Sequence, residues 1–547
     1  MLNSIFQKFL IEKEKRRKKK YNFYARARNI YRASEIDGFA DDKFLGDRLN
    51  LYQRYNAYYD GISAGLLIDK DEGEKYINDF TGGFLSLEYF NSNLIAGDYY
   101  LELGMGNLFW KNIGMRKGAE VILPAVQWGS GIEPYRSSIE ANFFRGLAFE
   151  TKIPVSYYNS LKFKSWYSNI DRSATVDENG IITSLYQTGY YRTETEIAKK
   201  NRVNEEIYGA DIEWQSKYVS IGAAGYKIKY SKPMESLSKS VFRGKEGFLG
   251  TLYALSSFSD YSLAAEVTKD AGNNLGIKAG AQVVKKDYSL AAGFRSFDAL
   301  FRSPFGYNFG EQSYAANETG FYFGANWKKY KTLSISAYLD IYRSKKQTYY
   351  VPFGLRGLDV FSEIWWRPHR KTEARVRIRY EDKTDAHTDY DLGQKLIYQK
   401  AKPAIRLDIK HKVNSKLFFR IRTETNAVLY EKSISNESGF MMFFEISWQI
   451  IDQLKFGSRA SLYSTDSYDS AIWQYEYAMP GYMTTVPLYG KGARYYMYFK
   501  IMPLENIILT LRTAYNKKND TETLGSGYYE TLSNEDLRFY FQLDLRL

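Results

Sequence analysis

The chain has 547 residues, a formal net charge of +13, 25% charged residues and an aromatic share of 17% that includes 50 Tyr and 34 Phe. It has no cysteine, which excludes disulfides and thiolate metal sites, and its three histidines, His369, His387 and His411, lie on separate segments without the spacing of metal ligands. No apolar run reaches the roughly 18 residues that a spanning helix requires, which excludes a helical membrane protein but not a barrel, whose signal is short alternating segments.

The first twenty residues, MLNSIFQKFLIEKEKRRKKK, place a short apolar stretch ahead of a basic run. A secretory signal has the reverse order, with a longer apolar segment and a small-residue cleavage site. Residues 1–20 therefore read as a basic amphipathic helix or linker, and an exported protein would need a start upstream of Met1. From Tyr21 the hydrophobic period changes to two. Alternating segments run from Tyr21 to Arg32, Asp47 to Tyr58, Ile62 to Lys70, Asp79 to Phe90 and Leu94 to Leu103, and the pattern continues to the last residue. Turn signals such as Asp60-Gly61, Asp71-Glu72-Gly73 and Asn91-Ser92-Asn93 separate them and predict hairpins. Stretches 104–135, 192–206, 298–318, 384–400 and 464–490 interrupt the alternation and read as inward or surface loops. In the second, Thr193 and Glu196 form a capping box ahead of a short polar helix. The closing LRFYFQLDLRL puts Phe539, Phe541, Leu543, Leu545 and Leu547 on one face and Arg538, Tyr540, Gln542, Asp544 and Arg546 on the other. That strand is expected to pair with the first, near Tyr21 to Arg32, and leave no open edge.

About 24 to 26 such segments predict an all-β fold, a large antiparallel transmembrane β-barrel over 21–547. An open sheet of that size must split or curl, and a propeller would repeat a motif every 40 to 50 residues or so, which this sequence does not. In EARVRIRY, Ala374, Val376, Ile378 and Tyr380 share one face and Arg375, Arg377 and Arg379 the other; in LFFRIRTE, Leu417, Phe419 and Ile421 oppose Arg420, Arg422 and Glu424. A soluble sandwich would show these arginines to water. A barrel makes Arg375, Arg377, Arg379, Arg420 and Arg422 lumen-lining, where rings of positive charge bias a pore toward anions. Aromatic pairs near segment ends, Tyr349-Tyr350, Trp365-Trp366, Tyr495-Tyr496 and Tyr528-Tyr529, suit interfacial girdles.

The stretch LIAGDYYLELGMGNLFWKNIGMRKGAE, Leu94 to Glu120, resembles a block of a Bacteroidetes/Chlorobi-type family of outer-membrane proteins that carry an N-terminal helix-hairpin-helix domain before a long β-rich region. The matching residues are Gly97, Asp98, Tyr99, Gly104, Gly106, Trp110, Lys117, Gly118 and Ala119, with Met105 where the family usually has Gln. The resemblance continues through EPYRSSIEANFFRG, YRTETEIAKKNR, NETGFYFG, STDSYDSAIWQYE, VPLYGKGARYY and LGSGYYE. The helix-hairpin-helix part has no counterpart in the first 20 residues. The resemblance implies an outer-membrane barrel with no assigned reaction.

The glycines at 97, 104, 106, 114 and 118 do not make a phosphate loop, since GMGNLF lacks the third glycine in place and a strand-helix frame; they suit tight turns and close backbone approach in a lumen. Asp98, Arg136 and Arg145, with Gly104, Gly106, Trp110 and Lys117, are candidates for a network that anchors an inward loop. Asp466, Asp469 and Glu476 lie in a polar loop that lacks the glycine of a calcium-binding EF-hand. LGSGYY does not match a nucleophile elbow. Lys13 to Lys20 has no interleaved aromatics for base stacking and suits a solvated linker or anionic lipid better than nucleic acid. The sequence thus predicts no catalytic residue, metal or cofactor. It predicts an outer-membrane channel for polar solutes, or the barrel of an export or uptake complex. The alternative is a non-conducting anchor or scaffold for a periplasmic partner, one that handles DNA included. Expected partners are outer-membrane lipid, the barrel assembly machinery and a periplasmic or outer-membrane protein.

Overall fold

The computed structural model describes residues 21–547 apart from 112–116, 236–241, 308, 312–314, 349–350, 352–353, 390–393, 432–434 and 478. The helix or linker expected over residues 1–20, Gly114 and the Tyr349-Tyr350 pair fall outside the described residues.

Among the described residues one sheet holds 27 strands, of which 24 form a closed antiparallel wall. Three short strands, Gly131–Pro134, Ala174–Val176 and Ile182–Leu185, are appended to it, and Ile472–Glu476 pairs with Thr484–Leu488 as a separate hairpin. Each wall strand pairs with its neighbours along the chain, and the wall closes where Tyr21–Arg32 pairs with Glu535–Arg546, in register from Tyr24↔Arg546 to Arg32↔Arg538. Every wall strand therefore has two partners, so the sheet has no edge. No helix among the described residues is long and apolar enough to cross a membrane.

At one end of the barrel the connections are two to five residues long. Asp60 and Gly61 make one of them with φ of +41° and +87°, the left-handed pair of a tight hairpin turn. At the other end run the long connections 33–48, 71–79, 103–143, 173–202, 298–317, 466–490 and 519–534. The helix Glu194–Ile197 lies in one of these, with the Thr193 hydroxyl and the Glu196 carboxylate forming the capping box. Val203 already begins a strand, so the insertion expected to run to 206 stops at Arg202. The insertion expected at 384–400 is corrected more sharply. Strands Thr372–Asp389 and Gln394–Lys412 stay paired out to Asp389↔Gln394. Beyond the apolar band both faces of a wall strand meet water, so alternation disappears while the hydrogen-bond ladder continues.

The two faces are chemically opposite. On the last strand Phe539, Phe541 and Leu543 are 46, 39 and 38% exposed, whereas Tyr540, Gln542 and Asp544 are 5, 0 and 1% exposed. The outward side is apolar, and the inward side is a polar interior in which buried charges are paired. Tyr495-Tyr496 straddles the wall, Tyr495 exposed outside and Tyr496 buried inside. Trp366 is exposed near a short-turn end, while Tyr528 and Tyr529 lie in a 3-10 turn of the 519–534 connection.

Candidate functional site

Two long connections fold into the lumen. The first, 103–143, leaves strand Ser92–Glu102 and turns inward at Gly104 and Gly106, where φ is +53° and +91°. Its backbone is received by a charged pair on adjacent strands, since Glu266 and Lys278 are register partners. The Glu266 carboxylate accepts from the backbone N–H of Met105 at 2.7 Å and of Asn107 at 3.2 Å, and Lys278 donates to the carbonyls of Met105 and Tyr307, both at 2.9 Å. Further along, Tyr322 donates to the Val121 carbonyl at 2.8 Å. The segment then lies close against the wall because glycines of the wall leave room for its backbone. A Cβ on Gly280 would stand 1.7 Å from the Ala125 oxygen, and one on Gly324 would stand 2.0 Å from the Val121 oxygen. The connection returns along its parent strand, with Glu102↔Gly131 to Tyr99↔Pro134 in register.

The second inward connection, 466–490, carries the hairpin Ile472–Glu476 and Thr484–Leu488. Glu476, 1% exposed, accepts from Arg494 at 2.5 Å and from Arg512, while Arg459 donates to the Tyr475 carbonyl at 2.8 Å. In the connection between the two hairpin strands the Pro480 carbonyl accepts from Gln542 at 3.1 Å and from Arg28 at 3.4 Å, which ties the loop to the closing strands. The carboxylates considered for calcium are thus spent on different partners: Asp466 on Ser438, Asp469 on Lys400 and Tyr430, and Glu476 on arginines. Among the described residues no group of His, Cys, Asp and Glu is arranged to hold a metal.

Arg145 makes a two-point ion pair with Asp98, at 2.6 and 3.0 Å, and Asp98 also accepts from the Gly83 N–H at 2.8 Å. Arg136 stacks over the Phe84 ring at 5.0 Å. Lys117 lies well away from these, 2.6 Å from Asp340 and over the Tyr342 ring at 4.8 Å. Trp110 is half-buried, its backbone N–H donating to the Phe305 carbonyl at 2.9 Å, while its indole N–H has no partner among the described residues. The seven residues grouped by sequence therefore belong to several anchors. Glu266, Lys278, Glu476, Arg494 and Arg512 hold loops more directly. Their only sequence signal is a charge isolated in an alternating apolar strand, as Lys278 is in LGIKAGAQVV.

The arginines proposed for the lumen face away from the exposed Ile378 and Ile421. Arg377 donates to Glu363 at 2.6 and 2.9 Å, Arg379 to Asp359 at 2.9 and 3.1 Å and to Glu381 at 2.9 Å. Arg420 and Arg422 share Asp408, each at 2.6 Å. Arg375 is exposed and acts electrostatically on Glu373. Partial exposure of Arg377, Arg379 and Arg420, at 30, 37 and 24%, marks this arc as a part of the lumen that water reaches.

At the long-loop end a chamber of about 670 Å³ opens between the connections 71–79, 103–143, 173–202 and 298–317. Aromatic rings of Tyr100, Trp110, Phe143, Tyr186 and Phe305 line it. Beside it, carboxyl groups of the loops crowd together. Burial and the Asp79 carboxylate push Glu74 up to about 7, and burial with the Glu74 and Asp79 carboxylates pushes Glu140 up to about 8. Burial raises Asp71 to about 6 even against the Arg192 guanidinium.

No protein-family model matches the chain, and no curated protein does. Solved structures similar in outline include the siderophore receptor PirA from Pseudomonas aeruginosa, 9% identical over 97% of this chain and 80% of that one, with a TM-score of 0.43. The FrpB iron transporter from Neisseria meningitidis is 7% identical over 96% and 81%, with a TM-score of 0.41. The copper transporter OprC is 8% identical over 96% and 82%, with a TM-score of 0.44. At these scores the likeness carries no inference about ligand or activity.

Proposed function

We propose that the protein is an outer-membrane barrel that passes polar solutes through a lumen narrowed by its own loops, as a channel or as the barrel of an uptake or export complex. The observation that carries this reading is the opposition of the two faces. Unpaired apolar side chains ring the outside, where lipid would cover them, and the inside is lined by ion pairs suited to water. Barrels of this kind keep short turns in the periplasm and long loops outside the cell, so the inward loops and the chamber face the exterior and a periplasmic partner would meet the short turns. The water-reached arc favours anions, because two arginines there share one carboxylate, Asp408, and Arg375 is exposed. The resemblance to the helix-hairpin-helix family suits such a location and assigns no solute.

A non-conducting anchor is the second reading. It is supported by the cluster of buried residues, Leu103, Leu108 and Phe109 among them, that packs the loop against strands from Phe84 to Tyr253. Purified full chain in planar bilayers decides between the two. Discrete conductance steps with anion preference support the channel, and electrically silent insertion supports the anchor.

A further inference from the structure

The chamber at the long-loop end is large enough for a small organic ligand, since about 670 Å³ falls within the usual range of roughly 300 to 1,000 Å³. Three of its four basic side chains are held in ion pairs, although one buried guanidinium nitrogen of Arg172 has no hydrogen-bond partner among the described residues. Lys200 pairs with Asp79 at 2.8 Å, Arg172 with Glu205 at 2.9 Å and Arg145 with Asp98 at 2.6 Å, while Lys111 sits over the Tyr100 ring at 4.6 Å. Of its acidic side chains, Glu205 also accepts from Tyr230 at 2.9 Å, and the exposed Asp171 accepts from Asn204 at 3.0 Å. Glu140, raised to about 8 by burial and its acidic neighbours, is mostly a neutral hydroxyl-bearing group at pH 7. A charged ligand that displaced Lys200, Arg172 or Arg145 from its carboxylate would leave a desolvated partner behind.

Two neutral amides are free as well. Asn142 and Gln187 line the chamber and neither side-chain amide has a hydrogen-bond partner among the described residues. An amide offers donor and acceptor side by side, the complement of adjacent hydroxyls. Lys199 covers one face of the Tyr186 ring at 5.0 Å, so its opposite face and the Trp110 ring are what remain for C–H surfaces. We infer that the chamber is a binding site for a neutral, polyhydroxylated ligand, a short oligosaccharide, with Asn142 and Gln187 reading hydroxyls and the Trp110 and Tyr186 rings stacking on sugar faces. This deepens the uptake reading and rests on the long loops facing outward, but binding itself does not require conduction.

The test is titration calorimetry on the full chain in detergent micelles with maltotriose, cellotriose and chitotriose as neutral probes and spermidine and citrate as charged ones. Saturable binding of at least one trisaccharide is expected, weakened tenfold or more in Asn142→Ala and in Gln187→Ala, neither of which is deeply buried. Heat-modifiable migration of each variant verifies its fold. No trisaccharide binding, binding unaffected by both substitutions, or preference for a charged probe would overturn the inference. Conductance measured on the same preparation separates the two claims: a conducting barrel that binds no sugar sinks only the site, and a silent barrel that binds sugar sinks only the channel.

Discussion

Gly280 is the most direct lever on the inward loop. A methyl group there would stand 1.7 Å from the Ala125 carbonyl oxygen, whereas ordinary contact begins at 3.4 Å, so the segment must retreat by the difference, 1.7 Å. Tyr322 reaches the neighbouring Val121 carbonyl at 2.8 Å, and a retreat of that size takes the bond beyond hydrogen-bonding range. Losing the bond removes about 1 kcal/mol, and overfilling a packed contact costs about 1–3 kcal/mol. Together they weaken seating by about 2–4 kcal/mol, which is roughly a 30- to 700-fold change in the ratio of seated to unseated loop. The wall should be unaffected, because φ at Gly280 is not in the left-handed region and its ladder bonds do not involve the side chain.

Because the chain has no cysteine, Leu123→Cys gives a single reporter within the seated segment. Gly280→Ala in that background is expected to raise the rate of labelling by a membrane-impermeant maleimide at least tenfold and to increase open probability in bilayers. Heat-modifiable migration should stay as in the parent. Ala281→Val, one residue on and facing outward, serves as the control and should change neither readout. Parental labelling and parental conductance in Gly280→Ala would refute the reasoning, since a carbonyl cannot coexist with a Cβ at that distance.

Asp408→Asn removes the negative charge between Arg420 and Arg422, so the reversal potential in a salt gradient should move toward the anion value; no movement would place these arginines outside the conduction path. Glu476→Gln leaves two buried arginines facing a neutral amide, a loss of about 3–5 kcal/mol, and the 466–490 loop, which holds several Tyr and a Trp but no Lys or Arg, should become the first site of chymotryptic cleavage in a barrel that still migrates heat-modifiably. For the loop carboxyls the folded pKa lies above the unfolded one, so the folded loops bind more protons and their stability falls as pH rises from about 4 to about 8; hydrogen exchange over 71–79, corrected for intrinsic rate, should show better protection at pH 5 than at pH 8.5. Deleting 537–547 removes a strand bonded to both Tyr21–Arg32 and Ile507–Lys518 and leaves two unpaired edges in lipid, so no heat-modifiable form should accumulate.

The wall was legible because it obeys a local rule. Strand bounds at Tyr21–Arg32 and Ile62–Lys70 follow from alternation and turn residues alone, and the Thr193 capping box needs only three residues of context. What failed depended on distance from the bilayer or on a remote partner. The TDAHTDYDLGQK stretch reads as a loop because its faces are equally polar, yet the ladder runs on through Asp389↔Gln394. Arg377 finds Glu363 because register places them opposite each other, while Arg379 reaches diagonally to Asp359; neither choice is written in the spacing of either strand.

The loop anchors show how these two kinds of information meet. A glycine in a strand signals a bulge, a bend or a close approach, and only the path of residues 121–125 shows that Gly280 and Gly324 serve the last. Glu266 and Lys278 are each visible as a lone charge in an apolar strand, but it is their pairing across adjacent strands that forms a cradle for the Met105 amide and carbonyl. A slip of one residue would turn a strand inside out, carrying its charge into lipid and its apolar residues into the lumen. The charges that seat the loop therefore also oppose misregistration of the strands that hold it, and replacing either should impair assembly of the wall as well as closure of the lumen.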